Sequence, residues 1–316
     1  MDLRRLVTAL MMFCVPLAME AQSVIKVTLL GTGAPPPVME RFGPSTLIEA
    51  GPEKFLVDVG RGATQRLWQV GIPLGGVTAV FLTHLHSDHT VGIPDLWLTG
   101  WLNNDFARRT APFQIYGPTG TAEMMANLEK AYAWDIKTRE ADEKLPAEGV
   151  AIAAKDVTAG VVYEKNGVKV TAFNTDHGPL LKPTLGYRID YGGHSVALTG
   201  DTRPSDDIVK AAKGVDVMIH EVAFAKPELL EKSEAMKRIM DHHSSPQDAG
   251  TDFTRSNPKL AVYSHIVLLG EDRIAAPTVG ALVVETRNTY ENPLEVGTDL
   301  MTITIGATIE VGRPAK

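Results

Sequence analysis

The chain carries a single cysteine, Cys14, among its 316 residues. Beyond the first 21 residues there is none, which excludes disulfides and thiolate metal ligands there. Any metal site must be built from histidine and carboxylate. Aromatic residues make up 6% and charged residues 22%, against 44% hydrophobic, ordinary values for a globular chain with a core. No long basic run appears and the formal net charge is −7. Clustered Lys and Arg, the usual footprint of a general nucleic-acid binder, are therefore lacking, and nucleic acid reads as an unlikely partner. Internal repeats and low-complexity tracts are absent too.

The one apolar run near the N-terminus follows "MDLRR" and ends at "EAQS". It is short for a bilayer span and Pro16 interrupts it, so no membrane association is expected. A basic start, an apolar centre and a small-residue exit form the pattern of a secretory leader cut near Ala21. The expectation is a leader at 1–21, a single domain at 22–316, and a periplasmic or secreted location. Arg4-Arg5 is a weak pointer to twin-arginine export. Met12-Phe13 before Cys14 do not suit a lipoprotein.

Short β-rich runs alternate with helical ones. "VIKVTLLGTG" reads as a strand, and "STLIEA" with "EKFLVDVG" as a hairpin about Gly51-Pro52. "ATQRLWQVG" and "TAEMMANLEKAYAWDI" read as helices. "AVFLTHLH", "NGVKVTAFNTDH", "TLGYRIDYGGHSVALTGD", "VDVMIHEVAF" and "KLAVYSHIV" read as strands, with a turn at Gly192-Gly193. Ser245 and Pro246 open a further helix. This order implies an α/β fold of two sheets covered by outer helices. Residues 137–162 read as a surface insertion.

Three of nine histidines fall within six positions of "THLHSDH", after an apolar run. Residues two apart on a strand share a side, so His84 and His86 are expected to project together from its end, with Asp88 and His89 closing over the same point. Neutral imidazoles and carboxylates suit zinc. His177, Asp201, the pair His220-Glu221, and His265 each follow a predicted strand, and strand ends of a sandwich converge. His242 and His243 precede a helix. Each has a plainer reading: Asp201 as a helix cap, His177 and His265 as core histidines, Asp58 as a turn former, Trp97 and Trp101 as core rather than pocket.

"LLGTGAPPP", "RFGPSTLIEAG", "LVDVGRGATQRL", "THLHSDH", "YGPTG", "TLGYRI", "TGDTRP", "IHEVAF" and "HSSP" occur in one order through most of the chain. By these motifs the sequence resembles the metallo-β-lactamase superfamily, within it the ribonuclease Z-like and arylsulfatase-like branch. The resemblance implies an αββα sandwich and two metal ions, zinc first, with manganese or iron as alternatives. His84, His86 and His177 would bind one metal, Asp88, His89 and His265 the second, and Asp201 would bridge them. His243 and Glu221 would act in catalysis together with Asp88; their motifs read His-Ser-Ser and His-Glu-Val-Ala where the family has His-Ser-Thr and His-Glu-Ala-Thr. Asp58 would hold a ligand histidine in its tautomer. Two such ions would supply hydroxide near neutral pH.

Bacterial ribonuclease Z usually carries a long arm between the third histidine ligand and the bridging aspartate. Here only 23 residues separate His177 from Asp201, and strand-like sequence fills them. With the acidic charge and the leader, this favours an exported hydrolase of a small sulfate ester or phosphodiester. Ribonuclease Z activity, β-lactam or lactone hydrolysis, and a metal-binding scaffold are the alternatives. Homodimerisation is implied by the resemblance alone.

Overall fold

The computed structural model describes residues 23–271 and 273–314. The expected leader at 1–21 and Cys14 lie outside the described residues. Two mixed sheets form the centre. The first runs in space as β15 (Ile309–Gly312), β14 (Thr302–Ile305), β1 (Ile25–Gly31), β2 (Ser45–Ala50), β3 (Glu53–Val57), β4 (Ala79–Phe81), β5 (Phe113–Gly117) and β6 (Ile152–Asp156). The second runs as β13 (Leu294–Val296), β12 (Leu260–Leu269), β11 (Val217–Ala225), β10 (His194–Leu198), β9 (Thr184–Tyr191), β8 (Val168–Thr175) and β7 (Gly160–Lys165). In each sheet one half is antiparallel and the other parallel. The protein is thus a single-domain αββα sandwich, as its motifs imply.

Alternating burial makes the layers. Val27, Ile48, Phe55 and Phe81 meet Val170, Leu185, Ile189 and Val196 between the sheets. The opposite face of the first sheet is covered by α1 (Ala63–Gln69), α3 (Ile93–Thr99) and α4 (Thr121–Ala131), through Leu67, Leu96 and Met125. The outer face of the second is covered by α7 (Asp206–Ala211), α10 (Pro246–Ser256) and α11 (Val279–Thr286), through Ile208, Phe253 and Leu282. One aromatic cluster lies between the sheets: Phe81 stacks on Tyr116 at 5.2 Å and meets Phe55 and Tyr187 edge-on or tilted, each at 5.3 Å.

Several expectations need correction. The strand expected through His86 stops at Phe81, so His84 and His86 stand on a loop; the backbone at His86 is still extended, with φ −63° and ψ 148°. Asp88 and His89 sit in a one-turn helix, α2 (Ser87–Thr90). The long helix expected at 121–136 breaks at Tyr132, and α5 (Ala133–Asp142) follows. Residues 137–162 are not a surface insertion. They supply α6 (Ala147–Val150) and β6, the edge of the first sheet, and open β7, the edge of the second. Trp97 and Trp101 are buried there and donate to Val150 O and Pro146 O, both at 2.8 Å, so they are core.

The core reading yields a prediction. Phe81→Ala should cost about 3–5 kcal/mol, because a buried ring is lost and a cavity left. Denaturant unfolding measures this, and a change below about 1 kcal/mol would place the two-sheet core elsewhere.

Candidate metal centre

Strand ends gather the polar groups. β3 ends before Asp58, β4 before Thr83 and His84, β8 before His177, and β10 before Asp201. The loop of Asp201 packs on the loop of His84 so closely that a Cβ at Gly200 would lie 2.6 Å from Thr83 Cβ, and Gly200 has φ +63°. Only glycine tolerates both demands.

His220, Glu221 and His265 do not follow strands; they lie within β11 and β12. The pairing shifts between His220↔Tyr263 and Val222↔Ile266, leaving Ser264 and His265 opposite Glu221 alone. This is a β-bulge, and His265 has φ +46°. A bulge re-aims a side chain out of the sheet's alternation, which turns His265 to the site.

The expected residues converge. Four donors, from His84, His86, His177 and Asp201, lie within 4.8 Å of one another, as do those of Asp88, His89 and His265. His86 Nδ1 is 3.1 Å from His84 Nε2 and 3.3 Å from His177 Nε2. In the second group His265 Nε2 is 3.3 Å from Asp88 Oδ2, and His89 Nε2 is 3.5 Å from it. Asp201 reaches both: Oδ1 is 3.3 Å from His89 Nε2, and Oδ2 lies 3.3 Å from His265, 3.7 Å from His177 and 3.9 Å from His84. Ligand atoms about 2.0–2.1 Å from a tetrahedral zinc stand about 3.3 Å apart, so most of these spacings fit such an ion. The buried atoms His89 Nε2 and Asp201 Oδ1 have no hydrogen-bond partner, which an ion would remedy. The residues present therefore fit a dinuclear site. Asp201 does not cap α7; Ser205 does, accepting from Asp207 N and Ile208 N.

His89 and His177 are oriented from behind. Asp58, in the left-handed region at φ +60°, accepts from Thr83 N, Thr83 Oγ1 and His89 Nδ1, all at 2.8 Å. It is both turn former and tautomer holder, leaving Nε2 of His89 for the centre. His177 Nδ1 donates to His242 O at 2.8 Å, a backbone partner with no mark in the sequence. Glu221 accepts from Thr202 N at 3.1 Å and Ser244 N at 3.0 Å through Oε1, and its Oε2 lies 3.2 Å from His243 Nδ1. Ser245 and Asp248 form a capping box that fixes the start of α10, just after His243. His220 is spent on the core, 3.5 Å from Asp252 of the same helix. The "GTG" turn meets the 41–43 segment rather than the metals: a Cβ on Gly31 would lie 2.0 Å from Gly43 O.

The electrostatics agree. Burial, and next His89, push His84 well below the usual histidine range, and burial also lowers His86 and His177, so all three favour the neutral ligand form. Burial opposes charge on His89 as well, but Asp201 and Asp58 outweigh it and raise His89 well above that range. Burial would raise Asp201; His265 and His89 overcome it and hold it well below the carboxylate range. Burial lowers His243, yet Glu221 lifts it to about 9. His243 also comes within 4.8 Å of Asp201 and His265, so it borders the ligand set.

Metal entry must displace the proton that Asp58 and Asp201 hold on His89. Zinc uptake at neutral pH should therefore release protons, and affinity should fall as pH drops. Asp58→Asn should weaken one of two sites by about 10–100-fold while sparing the other. Chelator-competed zinc titration measures both; an unchanged affinity at both sites would contradict the role of Asp58.

Residues 46–266 match the β-lactamase superfamily domain. Ribonuclease Z of Mycobacterium bovis (strain BCG / Pasteur 1173P2) is 38% identical over 282 residues, covering 88% of this chain and 97% of that relative. Among solved structures, the metallo-β-lactamase fold protein YhfI from Bacillus subtilis superposes with a TM-score of 0.69 at 18% identity, over 89% of this chain and 99% of that one. Human tRNase Z, short form, superposes with a TM-score of 0.64 at 22% identity, over 88% and 98%. These two share the fold.

The ribonuclease Z relatives overturn the expectation of a small-molecule ester with nucleic acid as an unlikely partner. The 282 aligned residues take up nearly all of that relative and 88% of this chain. No room is left for a long segment between His177 and Asp201 in the relative and not here, so a missing arm does not separate the two. Net charge was also the wrong scale, because divalent cations held by the His/Asp cluster would dominate the local field at the site. Between the two branches that the motifs suggest, this relative falls with ribonuclease Z. By sequence, fold and site, the chain belongs to the metallo-β-lactamase superfamily and is a metal-dependent hydrolase of ester bonds.

Proposed function

We propose that this chain is an endoribonuclease of the ribonuclease Z type, hydrolysing a phosphodiester bond of RNA with two zinc ions. The observation that carries this reading is the joint presence of the seven-residue donor set and the Glu221–His243 pair at its border. His84, His86 and His177 would hold one ion, Asp88, His89 and His265 the other, with Asp201 between them. Nitrogen and oxygen donors at these spacings suit zinc best, with manganese and iron as competitors. When bound, the two ions lower the pKa of water and stabilise the negative charge that builds on the phosphoryl oxygens.

The protein's own groups do the rest. Asp88 lines the open side of the site, so its carboxylate can take the proton from the attacking water. His243 faces the same cleft. Glu221 keeps Nδ1 engaged, which leaves Nε2 to give a proton to the departing ribose oxygen. A sugar alkoxide is a poor leaving group and needs that proton; a nitrophenolate does not.

His243→Ala should retain both metals, slow cleavage of a precursor tRNA by about 10²–10⁴, and slow a nitrophenyl phosphodiester far less. The comparison uses metal content and kcat on both substrates. Equal losses on the two would assign His243 to binding or structure. Failure of the unaltered, zinc-loaded protein to cut any RNA would refute the ribonuclease reading.

A further inference from the structure

His243 belongs to no helix or strand. Two short helices, α8 (Pro227–Lys232) and α9 (Glu234–Met240), carry the chain from β11 towards it, and α10 begins just after it. Where His243 stands over the metal centre therefore follows from where α10 lies against β11. The start of α10 is tied to β11 at neighbouring residues. Ser244 N donates to Glu221 Oε1 at 3.0 Å, and Ala223 N donates to Ser244 O at 2.9 Å. These bonds fix one end of the helix and leave the rest free to pivot about it.

A second tie lies further along. Asp252 falls about two turns beyond Ser245, on the same side of α10. On β11, Met218 and Val222 face the helices and Ile219 faces the other sheet, so by alternation His220 points towards α10 and Glu221 away from it. His220 Nε2 lies 3.5 Å from Asp252 Oδ2, and its ring meets Phe253 edge-on at 5.7 Å. On the other side of the ring, Nδ1 donates to Glu221 O at 2.7 Å. One imidazole thus touches both α10 and the residue that engages His243.

The pair is costly to bury. His220 is 0% and Asp252 1% exposed, and neither His220 Nε2 nor Asp252 Oδ2 has a hydrogen-bond partner elsewhere. An aliphatic pair of similar size would fill this place with little or no loss of stability, because desolvation offsets the attraction between buried charges. What the polar pair adds is a fixed position.

We propose that His220 and Asp252 are positioning residues, which set the lie of α10 on β11 and so hold His243 against Glu221 over the metal centre. The inference rests on the reading of His243 as the proton donor to the leaving oxygen.

The test compares the zinc-loaded protein with the double variant His220→Leu/Asp252→Leu, on a precursor tRNA and on a nitrophenyl phosphodiester. The double variant should keep its Tm and both metals. It should cut the precursor about tenfold or more slowly, part of the effect of losing a positioned acid, and the nitrophenyl ester at nearly the unaltered rate. In a His243→Ala background the same two substitutions should cost nothing further, because a positioning residue acts only through the group it positions. Equal slowing of both substrates, or a further loss in that background, would make the role structural and overturn the proposal. Asp252→Asn keeps the shape of the pair and should show the same split to a smaller degree; if the double variant does not fold, this one decides by the same criteria. If no RNA is cut, the ribonuclease reading falls by itself. Solvent exchange of the His243 Nδ1 proton, which faces Glu221 Oε2, then decides by NMR of the zinc-loaded proteins. Faster exchange in the variant supports the proposal, and unchanged exchange overturns it.

Discussion

Seven nitrogen and oxygen donors face one another at the base of a cleft, on six buried side chains and the exposed His86, and their mutual repulsion is the constraint on which this edge of the sandwich depends. His84 Nε2 and His86 Nδ1 stand 3.1 Å apart, and unpartnered atoms of His89 and Asp201 face each other at 3.3 Å. Protons can bridge some of these contacts, and the raised His89 and lowered Asp201 are the trace of that. Protons serve one pair at a time. Two divalent cations would serve all seven donors at once and would give the loops a common point to close on.

The scaffold behind the donors is built from carboxylates. Asp58 ties the His84 loop to His89. Glu221 ties the Asp201 loop to the start of α10 and to His243. Asp299 does the same for the cleft wall, accepting from Thr32 N at 2.9 Å, Phe42 N at 2.7 Å and Arg66 Nη2 at 3.1 Å. Each carboxylate joins segments distant in sequence, so the geometry of the centre is a tertiary product.

What could be read in advance was local. "THLHSDH" places four donors within six residues, and no tertiary knowledge is needed to see their common target. His177 and Asp201 follow strands, and their place in the motif order assigned them. His265 was singled out by its place after a predicted strand, while the bulge and positive φ that aim it depend on pairing with β11 and leave no local sign. Asp299 and the carbonyl of His242 were invisible for the same reason. The break at Tyr132 involves neither glycine nor proline, so periodicity ran through it. Residues 137–162 looked like surface because their edge strands and short helices alternate poorly; burial of Gly149 and Val150 against the tryptophans is a tertiary fact. The partner was misjudged because two global quantities, net charge and a missing segment, were set against a site whose chemistry is local.

The central claim is that the seven donors hold two ions bridged by Asp201. Elemental analysis of the zinc-reconstituted protein and of Asp201→Ala tests it most directly. The account predicts two tightly bound divalent ions per chain in the unaltered protein and the loss of at least one in the variant. One ion or fewer in the unaltered protein, or two retained without the Asp201 carboxylate, would contradict it.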